Sequence, residues 1–399
     1  MQTFRHRGLQ IAYDDTGHPN RTALVLIHGW LSKRADLAAV ARAFRTSHRV
    51  VSIDLPGHGE SQVPEDESRL SIPSFADDVA ALCDELGLSS AALVGHSLGA
   101  AVAVDLAVRR PELAAAIVAL DGVVLMPSAL LEGFAPLLAA LRSPAWREAL
   151  GGLLTSTFLP TDDPDLLRSL LADINQMPQH VAAAVAEQMT DWDAESAVAA
   201  LGRSGAPVLA VDATDLSDLE RFAILAPQLA VGRVVGVGHD QMLATPAQSV
   251  AMIQRFLYTA LGRRPANNLA PVQQLFDAIS SGDLSMIDTL VSDDFVDHGA
   301  PPGTVPPGPE GYKRTMRLLR EAMQMTWTLI DIVAQEERVM AWVRCEGRHV
   351  GNFFGIPPTG REFSFEAMHV FRVEDEIVRE HWAVRDDLGL FRQIGLIAA

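Results

Sequence analysis

The chain has 399 residues, of which 48% are hydrophobic and 21% are charged, and its formal net charge at pH 7 is −18. A chain of this length exceeds what one hydrophobic core usually serves, so we expect two domains. The excess of acidic residues argues against nucleic acid or an anionic membrane as the main partner. The first predicted element, Met1–Asp15, alternates like a strand and contains no apolar stretch of signal-peptide length.

No window of the chain approaches the roughly 18 uninterrupted apolar residues of a membrane span. Cys83 and Cys345 lie far apart and predict two free thiols in a reducing compartment, and no cysteine or histidine spacing fits a metal site. These features predict a cytoplasmic protein that binds no metal and has neither nucleic acid nor a membrane as a partner.

Residues 1–262 alternate short apolar runs with helical stretches, which predicts a mostly parallel sheet. The carboxyl ends of such strands are where sites form, and each run ends in a polar or glycine-bearing loop. Residues 123–204 interrupt this alternation with apolar residues at helical spacings, which predicts a lid inserted between two strands. The predicted core strands are ALVLIHG (23–29), RVVSIDLPG (49–57), AALVGHS (91–97), AAIVALDG (115–122), APVLAVDA (206–213) and RVVGVGH (233–239).

One motif in this half carries chemistry. Gly95, Ser97 and Gly99 form a G-x-S-x-G, in which the serine needs a sharp strand-to-helix turn that exposes its hydroxyl. Taken alone, the motif also fits a tight turn with a capping serine. A nucleophilic serine further needs a base, an orienting acid and an oxyanion hole. The candidate base is His239, which follows the last predicted strand.

Four stretches occur in an order that is typical of one family: HG at 28–29, DLPGHGES at 54–61, GHSLG at 95–99, and Gly-His at 238–239 with Pro246 beyond. In these motifs residues 1–262 resemble the α/β hydrolase family. The resemblance implies a Ser97 nucleophile, a His239 general base, and an oxyanion hole formed by the backbone N–H groups of Trp30 and Leu98. It implies no cofactor. The histidines interpreted as braces for loops are His28, His58 and His96.

The acid of this triad has two candidate positions. The family's commoner position follows the penultimate strand, within DATDLSDLE at 212–220, where Ala213 replaces the usual glycine and no aspartate has quite the usual spacing. A minority arrangement places the acid one strand earlier, where Asp121 ends a buried strand. A charge at such a point is costly unless it is paired, which favours a functional role. We predict Asp121 as the acid, with Asp215 as the alternative.

Residues 263–271 are polar and proline-punctuated, which predicts a linker, and residues 272–399 differ in character from the first half. Two helical patterns, 272–290 and 312–324, flank the turn-rich HGAPPGTVPPGPEG. Long alternating strands follow, such as FSFEAMHVFRV and EIVREHWAV. Helices followed by strands predict an α+β domain with an antiparallel, curved sheet.

Three motifs in this second half, GRHVG, GIPPTG and RQIG, give residues 268–396 a resemblance to the SnoaL-like polyketide cyclases, whose fold is a cone-shaped α+β barrel. That family performs an intramolecular aldol closure with a pocket aspartate, and alignment places the aspartate's position at Ala383, two residues after His381. Alanine cannot transfer a proton, so we predict no aldol cyclase activity. The candidates for lining a polar pocket are His298, His349, His369 and Asp386, of which Asp386 does not match the position of the acid.

Together these patterns predict a serine hydrolase that cleaves an ester, lactone or thioester bond of a medium-sized, apolar small molecule. The second domain is predicted to serve ligand binding or oligomerisation, most simply in a homodimer. Three alternatives stay open: a non-hydrolytic enzyme on the same scaffold (a carbon–carbon lyase, cyclase or cofactor-free oxygenase), a bifunctional hydrolase-cyclase, and a binding protein with a vestigial hydrolase half.

Overall fold

The structure, a computed structural model, describes residues 1–16, 22–45, 47–261, 268–300, 306–335, 337–374 and 376–397. It divides into two units, Met1–Arg264 and Pro265–Ala399. The predicted linker, 263–271, falls mostly outside the described residues, and its last three residues belong to a helix that begins at Leu269.

A central sheet organises the first unit. Its strands are β1 (Gln2–His6), β2 (Leu9–Asp15), β3 (Ala23–Ile27), β4 (Arg49–Ile53), β5 (Ala91–His96), β6 (Ala114–Leu120), β7 (Val208–Asp212) and β8 (Leu229–Arg233). They lie in the order β1-β2-β4-β3-β5-β6-β7-β8. The strands from β3 onward pair in parallel, while β1 and β2 are antiparallel to their neighbours. This architecture confirms the predicted mostly parallel sheet.

Strands β3 and β5 are buried along their whole length, because both faces of the sheet are covered. Val25 and Ile27 pack into the apolar cluster on one face, while Leu24 and Leu26 pack into the cluster on the other. The parallel pairing brings the carboxyl ends of β5, β6 and β7 to one edge of the sheet. The residues that follow these strands are therefore neighbours in space.

The helices of the first unit are α1 (Ala38–Phe44), α2 (Ile72–Glu85), α3 (Leu98–Arg109), α4 (Ser128–Leu141), α5 (Trp146–Ser156), α6 (Pro164–Ile174), α7 (Gln179–Asp191), α8 (Ala194–Ser204), α9 (Leu219–Leu225), α10 (Gln241–Ala244) and α11 (Pro246–Ala260). The segment predicted as a lid forms α4 to α8, between β6 and β7. These helices bury a cluster of their own that includes Leu141, Trp146 and Leu150. We call α4 to α8 the lid.

The last strand of this sheet differs from its prediction. Sequence periodicity placed it at 233–239, whereas β8 ends at Arg233. Gly236 adopts a φ of 76°, outside the extended region, so the apolar residues around it form a loop. The prediction was wrong because Val237 is buried in the core without being part of a strand.

The elements of the second unit are α12 (Leu269–Ser281), α13 (Ile287–Leu290), β9 (Val291–Asp297), α14 (Gly308–Met323), β10 (Thr326–Gln335), β11 (Arg338–Arg348), β12 (Glu362–Glu374), β13 (Ile377–Arg385) and α15 (Asp387–Gln393). The sheet order is β10-β11-β12-β13-β9. Its pairs are antiparallel, except that β9 runs parallel to β13. The predicted α+β class is confirmed, and the parallel pairing of β9 is an addition to it.

One face of this second sheet is buried. Along β12, Phe363, Phe365 and Ala367 are buried, while the alternate residues Glu362 and Glu366 are exposed. The buried face packs against α12 and α14 through a separate apolar core. Residues at alternate positions of β12 and β13 therefore point toward the interior of this unit.

Cys83 and Cys345 are both buried and free. Burial raises the pKa of each thiol to about 12, so neither is a reactive thiolate at neutral pH. Within the described ranges, none of the helices has the length and apolarity that crossing a membrane requires.

Candidate active site

Ser97 lies at the turn between β5 and α3 and has a φ of 52° and a ψ of −118°. This left-handed conformation costs about 1–3 kcal/mol for a residue with a side chain, so the surrounding structure must enforce it. A Cβ at Gly95 would lie 2.1 Å from the Gly99 oxygen, and a Cβ at Gly99 would lie 2.2 Å from the Ile27 oxygen. The hydroxyl of Ser97 makes no capping hydrogen bond to α3, which contradicts the interpretation as a capping serine.

His239 and Asp121 are in direct contact. Asp121 follows β6 and is 2% exposed, and His239 Nδ1–H donates to its Oδ2 at 2.6 Å. The carboxylate also accepts from the backbone of Ala213 at 2.6 Å and of Thr214 at 3.0 Å. The Thr214 hydroxyl donates to Asp121 Oδ2 as well. A buried carboxylate with four donors is held rigidly in its charged form.

The pKa values of the two partners shift in opposite directions. Burial alone would raise the pKa of Asp121, but the hydrogen bond and charge of His239, followed by the donors of Thr214 and Ala213, lower it below its usual value. Burial alone would lower the pKa of His239, but the hydrogen bond and charge of Asp121 raise it. Both shifts favour an imidazolium beside a carboxylate, which is the state that a general base reaches after it takes a proton.

Asp215, the alternative acid, lies elsewhere. Its side chain is 71% exposed and accepts from Arg233 Nη2 at 2.5 Å. Asp218 accepts from the backbone of Arg221 and caps α9. Asp212, at the end of β7, also contacts Arg233. The structure therefore brings His239 to Asp121 and not to the aspartates after β7.

Ser97 and His239 line the same pocket, which has a volume of about 110 Å³. No hydrogen bond joins the Ser97 hydroxyl to the His239 ring in the described part of the chain, and such bonds often form fully only when substrate is bound. The remaining lining is largely apolar and comes from both the core and the lid. Its residues are Trp30, Leu31, Ser32, His96, Val123, Leu130, Phe134, Leu153, Leu154, Thr157, Leu170, Ile174, Met189, Leu216 and Asp240.

The predicted oxyanion-hole residues lie beside Ser97. Leu98 is the first residue of α3, so its N–H has no partner within the helix. Trp30 lines the pocket, and a Cβ on the preceding Gly29 would lie 2.9 Å from the Cβ of Ser97. The backbone that carries Trp30 therefore passes directly against the serine.

The three histidines interpreted as braces contact loop backbone. His28 Nε2 accepts from Leu55 N–H at 2.9 Å, and His58 Nδ1 lies 3.1 Å from the Pro56 oxygen. His96 Nε2 lies 3.2 Å from the His239 oxygen. Burial lowers the pKa of His58 and of His96 to about 3, so both rings are neutral at physiological pH.

The sequence analysis did not identify the lid residues that accept hydrogen bonds from Gly238 and His239. We call the segment that carries these two residues the histidine loop. The His239 N–H donates to the Thr157 oxygen at 3.1 Å, and the Gly238 N–H donates to Asp162 Oδ2 at 3.0 Å. Thr157 and Asp162 lie between α5 and α6. The glycine of the Gly-His pair was the available signal, because a glycine often marks a close approach of two backbones.

Gly238→Ala should therefore lower activity and stability together. The new Cβ would lie 2.1 Å from the Thr157 oxygen, so either the lid or the histidine loop must shift, at a cost of about 1–3 kcal/mol. Thermal melting and ester hydrolysis measure the two effects. The matched control is Gly133→Ala in α4, where a Cβ meets nothing within 4 Å. Equal behaviour of the two variants would contradict a tight lid contact at Gly238.

The residues predicted to line a polar pocket of the second unit lie in different places. His369 lines a cavity of about 590 Å³, whose lining does not include His298, His349 or Asp386. His298 pairs with Glu380, His349 contacts Thr359, and Asp386 caps α15. Their side chains are engaged with neighbours outside the cavity. No group of three or more metal-ligating side chains occurs among the residues the structure describes.

Comparison with known proteins finds a family model that matches each half of the chain. Residues 22–244 match the family model of the alpha/beta hydrolase fold, and residues 270–394 match that of the SnoaL-like polyketide cyclases. The magnesium-chelatase 30 kDa subunit of Rhodobacter capsulatus is 30% identical over 245 residues, which are 56% of this chain and 83% of that protein.

Two further proteins are similar to part of this chain. Aklanonic acid methyl ester cyclase DnrD of Streptomyces peucetius is 39% identical over 92 residues, which are 22% of this chain and 62% of that protein, less than two thirds of its length. The structure of a thermophilic esterase from Thermogutta terrifontis superimposes with a TM-score of 0.57 at 23% identity, covering 65% of this chain and 97% of that chain. At this identity the superposition shows a shared fold.

Proposed function

Because this chain belongs to the alpha/beta hydrolase fold family, we propose that its first unit is a serine hydrolase that cleaves an ester, lactone or thioester bond. One observation carries the proposal. Ser97, on its strained turn, shares a pocket with His239, whose ring is hydrogen-bonded to the buried Asp121. This is the constellation of nucleophile, base and orienting acid that acyl transfer needs.

The reaction follows from the hydrogen bonds. With its Nδ1–H donated to Asp121, the neutral His239 presents a bare Nε2 that takes the proton from Ser97 as the hydroxyl attacks the carbonyl carbon. The N–H groups of Leu98 and Trp30 hold the oxyanion of the tetrahedral intermediate. The imidazolium then protonates the leaving alcohol or thiol. Water, activated by the same nitrogen, hydrolyses the acyl-enzyme.

The pocket lining supports an apolar substrate. Leu130, Phe134, Leu153 and Leu170 come from the lid, and the polar groups concentrate around Ser97 and His239. Such a lining orients a substrate through a few polar contacts at the reacting bond and binds the remainder by apolar burial. We propose a largely apolar ester, lactone or thioester, with no cofactor.

Reaction with a fluorophosphonate probe, followed by mass spectrometry, tests this function. We expect one adduct, on Ser97, because the probe phosphonylates only a serine whose proton is removed by a base. Ser97→Ala should remain unlabelled. An adduct on another serine would assign a different nucleophile. A folded wild-type protein that takes no label would favour the non-hydrolytic alternative on this scaffold.

We further propose that the full chain forms a homodimer through the outer face of the second sheet. Trp342, Met368 and Val384 pair directly across β11, β12 and β13, so they lie on the same face. Their exposed fractions are 41%, 37% and 77%. A contiguous exposed apolar row of this kind is typical of an association surface, and a second copy can match it by two-fold symmetry.

Light scattering tests the dimer. We expect the full chain at twice its chain mass and Trp342→Glu at the monomer mass, because a carboxylate in the centre of an apolar contact loses its hydration. Val231→Glu, at an exposed apolar residue of β8 in the first unit, is the matched control and should stay dimeric. A monomeric wild-type chain would rule out the homodimer.

A further inference from the structure

The candidate base of the first unit is held from two sides. On the core side, the His239 ring donates from Nδ1 to Asp121 Oδ2 at 2.6 Å, and the His239 backbone oxygen lies 3.2 Å from His96 Nε2. His96 ends β5, and Asp121 directly follows β6. On the lid side, the His239 N–H donates to the Thr157 oxygen at 3.1 Å. The position of the ring therefore depends on how the lid lies on the core.

Asp162 makes the second lid contact, and it makes it through a side chain. Its Oδ2 accepts from the Leu159 N–H at 2.7 Å, which closes a turn within the lid, and from the Gly238 N–H at 3.0 Å, which crosses to the histidine loop. Asp162 is not part of the lining of the pocket that contains Ser97. An effect of Asp162 on a substrate in that pocket must therefore pass through the histidine loop.

The lid closes the pocket above Ser97. The pocket volume of about 110 Å³ is well below the roughly 300 Å³ at which small-molecule sites begin. Three lid residues that line it, Phe134, Leu170 and Ile174, are buried. A substrate of more than a few atoms therefore enters only when the lid moves away from the core.

Ion pairs with partly exposed side chains join the lid to the core. Lys33 Nζ donates to Asp173 Oδ2 at 2.7 Å, and Arg142, between α4 and α5, donates to both carboxylate oxygens of Glu67 at 3.0 and 2.8 Å. Pairs of this kind contribute little to stability, because water competes for both partners. They hold the lid in place without preventing it from opening.

We propose that Asp162 is a positioning residue, which couples closure of the lid to the alignment of His239 with Ser97. When the lid opens, the N–H groups of Gly238 and His239 lose their acceptors, and the base is no longer held from the lid side. Closure over a bound substrate restores both hydrogen bonds. A substrate too large for the lid to close over it would bind and yet react slowly, which is selection by induced fit.

The kinetic consequence of this proposal rests on the proposed hydrolase function, whereas the alignment of His239 can be measured without any turnover. Burial lowers the pKa of His239, but Asp121, followed by Asp240, raises it, and the neighbouring ring of His96 is neutral. The pKa of His239 therefore reports its contact with Asp121. A shift of the histidine loop that weakens this contact lowers that pKa.

NMR titration of the full-length protein with ¹⁵N-labelled histidine measures this pKa. We expect a lower pKa of His239 in Asp162→Ala than in the wild type, because the histidine loop loses an acceptor on the lid. Asp162→Asn should restore the wild-type value, since one amide oxygen can accept both N–H groups that Oδ2 accepts. The asparagine variant also lacks the charge, so it separates position from electrostatics. An unchanged pKa of His239 in Asp162→Ala would overturn the proposal.

Hydrolysis of p-nitrophenyl acetate tests the consequence for catalysis. Asp162→Ala should lower kcat about 10²-fold and leave KM nearly unchanged, because the pocket lining is intact while the base is misplaced. Asp162→Asn should retain most of kcat. A kcat in Asp162→Ala equal to that of the wild type would overturn the proposal.

The matched control is Asp163→Ala, at the next residue of the same lid segment. Asp163 Oδ1 accepts from the Asp165 N–H at 2.8 Å and caps α6, and within the described part of the chain it makes no hydrogen bond to the histidine loop. This variant should lower the melting temperature and leave kcat unchanged. Equal losses of kcat in Asp162→Ala and Asp163→Ala would show a general effect of lid stability and overturn the proposal. A wild type without ester turnover would refute the hydrolase function, and the pKa of His239 would then decide the role of Asp162.

Discussion

Ser97→Ala should lower the hydrolysis of a chromogenic p-nitrophenyl ester by on the order of 10⁶-fold, because the acyl-enzyme cannot form without the nucleophile. The fold should be unaffected. Alanine keeps the Cβ, so the turn at φ 52° carries the same steric cost in both proteins. Circular dichroism and thermal melting should therefore match the wild type while turnover falls to background.

The matched control is Ser32→Ala. Ser32 lines the same pocket, but its hydroxyl donates to Asp36 Oδ2 at 2.7 Å and is not on the strained turn. We expect this variant to retain most of its activity. Turnover retained in Ser97→Ala would show that the reaction does not pass through this serine, and would favour the non-hydrolytic enzyme.

Asp121→Asn should lower the plateau rate by roughly 10⁴-fold, because an amide at this position favours the wrong tautomer of His239 and cannot balance the imidazolium. The pH profile should shift as well. In the wild type, kcat/KM rises as His239 loses its proton, with a pKa that Asp121 raises above 6.5. Without that carboxylate, burial lowers the pKa of His239, so the rising limb of the kcat/KM profile should move to lower pH.

Asp215→Asn supplies the control for this prediction. The Asp215 carboxylate is largely exposed and hydrogen-bonded to Arg233. Neither the plateau rate nor the rising limb of the pH profile should therefore change. If Asp121 had only a structural role, Asp121→Asn would lower the stability and leave the rising limb of the pH profile at its wild-type position. Loss of activity in Asp215→Asn with a normal Asp121→Asn would reverse the assignment of the acid.

The chemistry of the first unit was accessible from sequence because its signals are local. Gly95, Ser97 and Gly99 lie between an apolar run and a small-residue helix, and that context predicts a strained turn. His239 was identifiable from the glycine before it and the proline that begins α11. The position of the last strand could not be identified from the sequence. Val237 is buried in a loop, and apolar content cannot distinguish such a loop from a strand.

The sequence by itself determined the fold class of each unit, and it predicts that Ala383 stands where the cyclase family has its acid. Only the tertiary structure decided which of these groups meet. Asp121 rather than Asp215 contacts His239, since β6 lies beside β5 and directs its terminal carboxylate toward the histidine loop. Asp297 reaches His381 because β9 pairs with β13 from 84 residues away. Periodicity encodes which face a side chain takes, whereas strand pairing depends on the packing of the whole core.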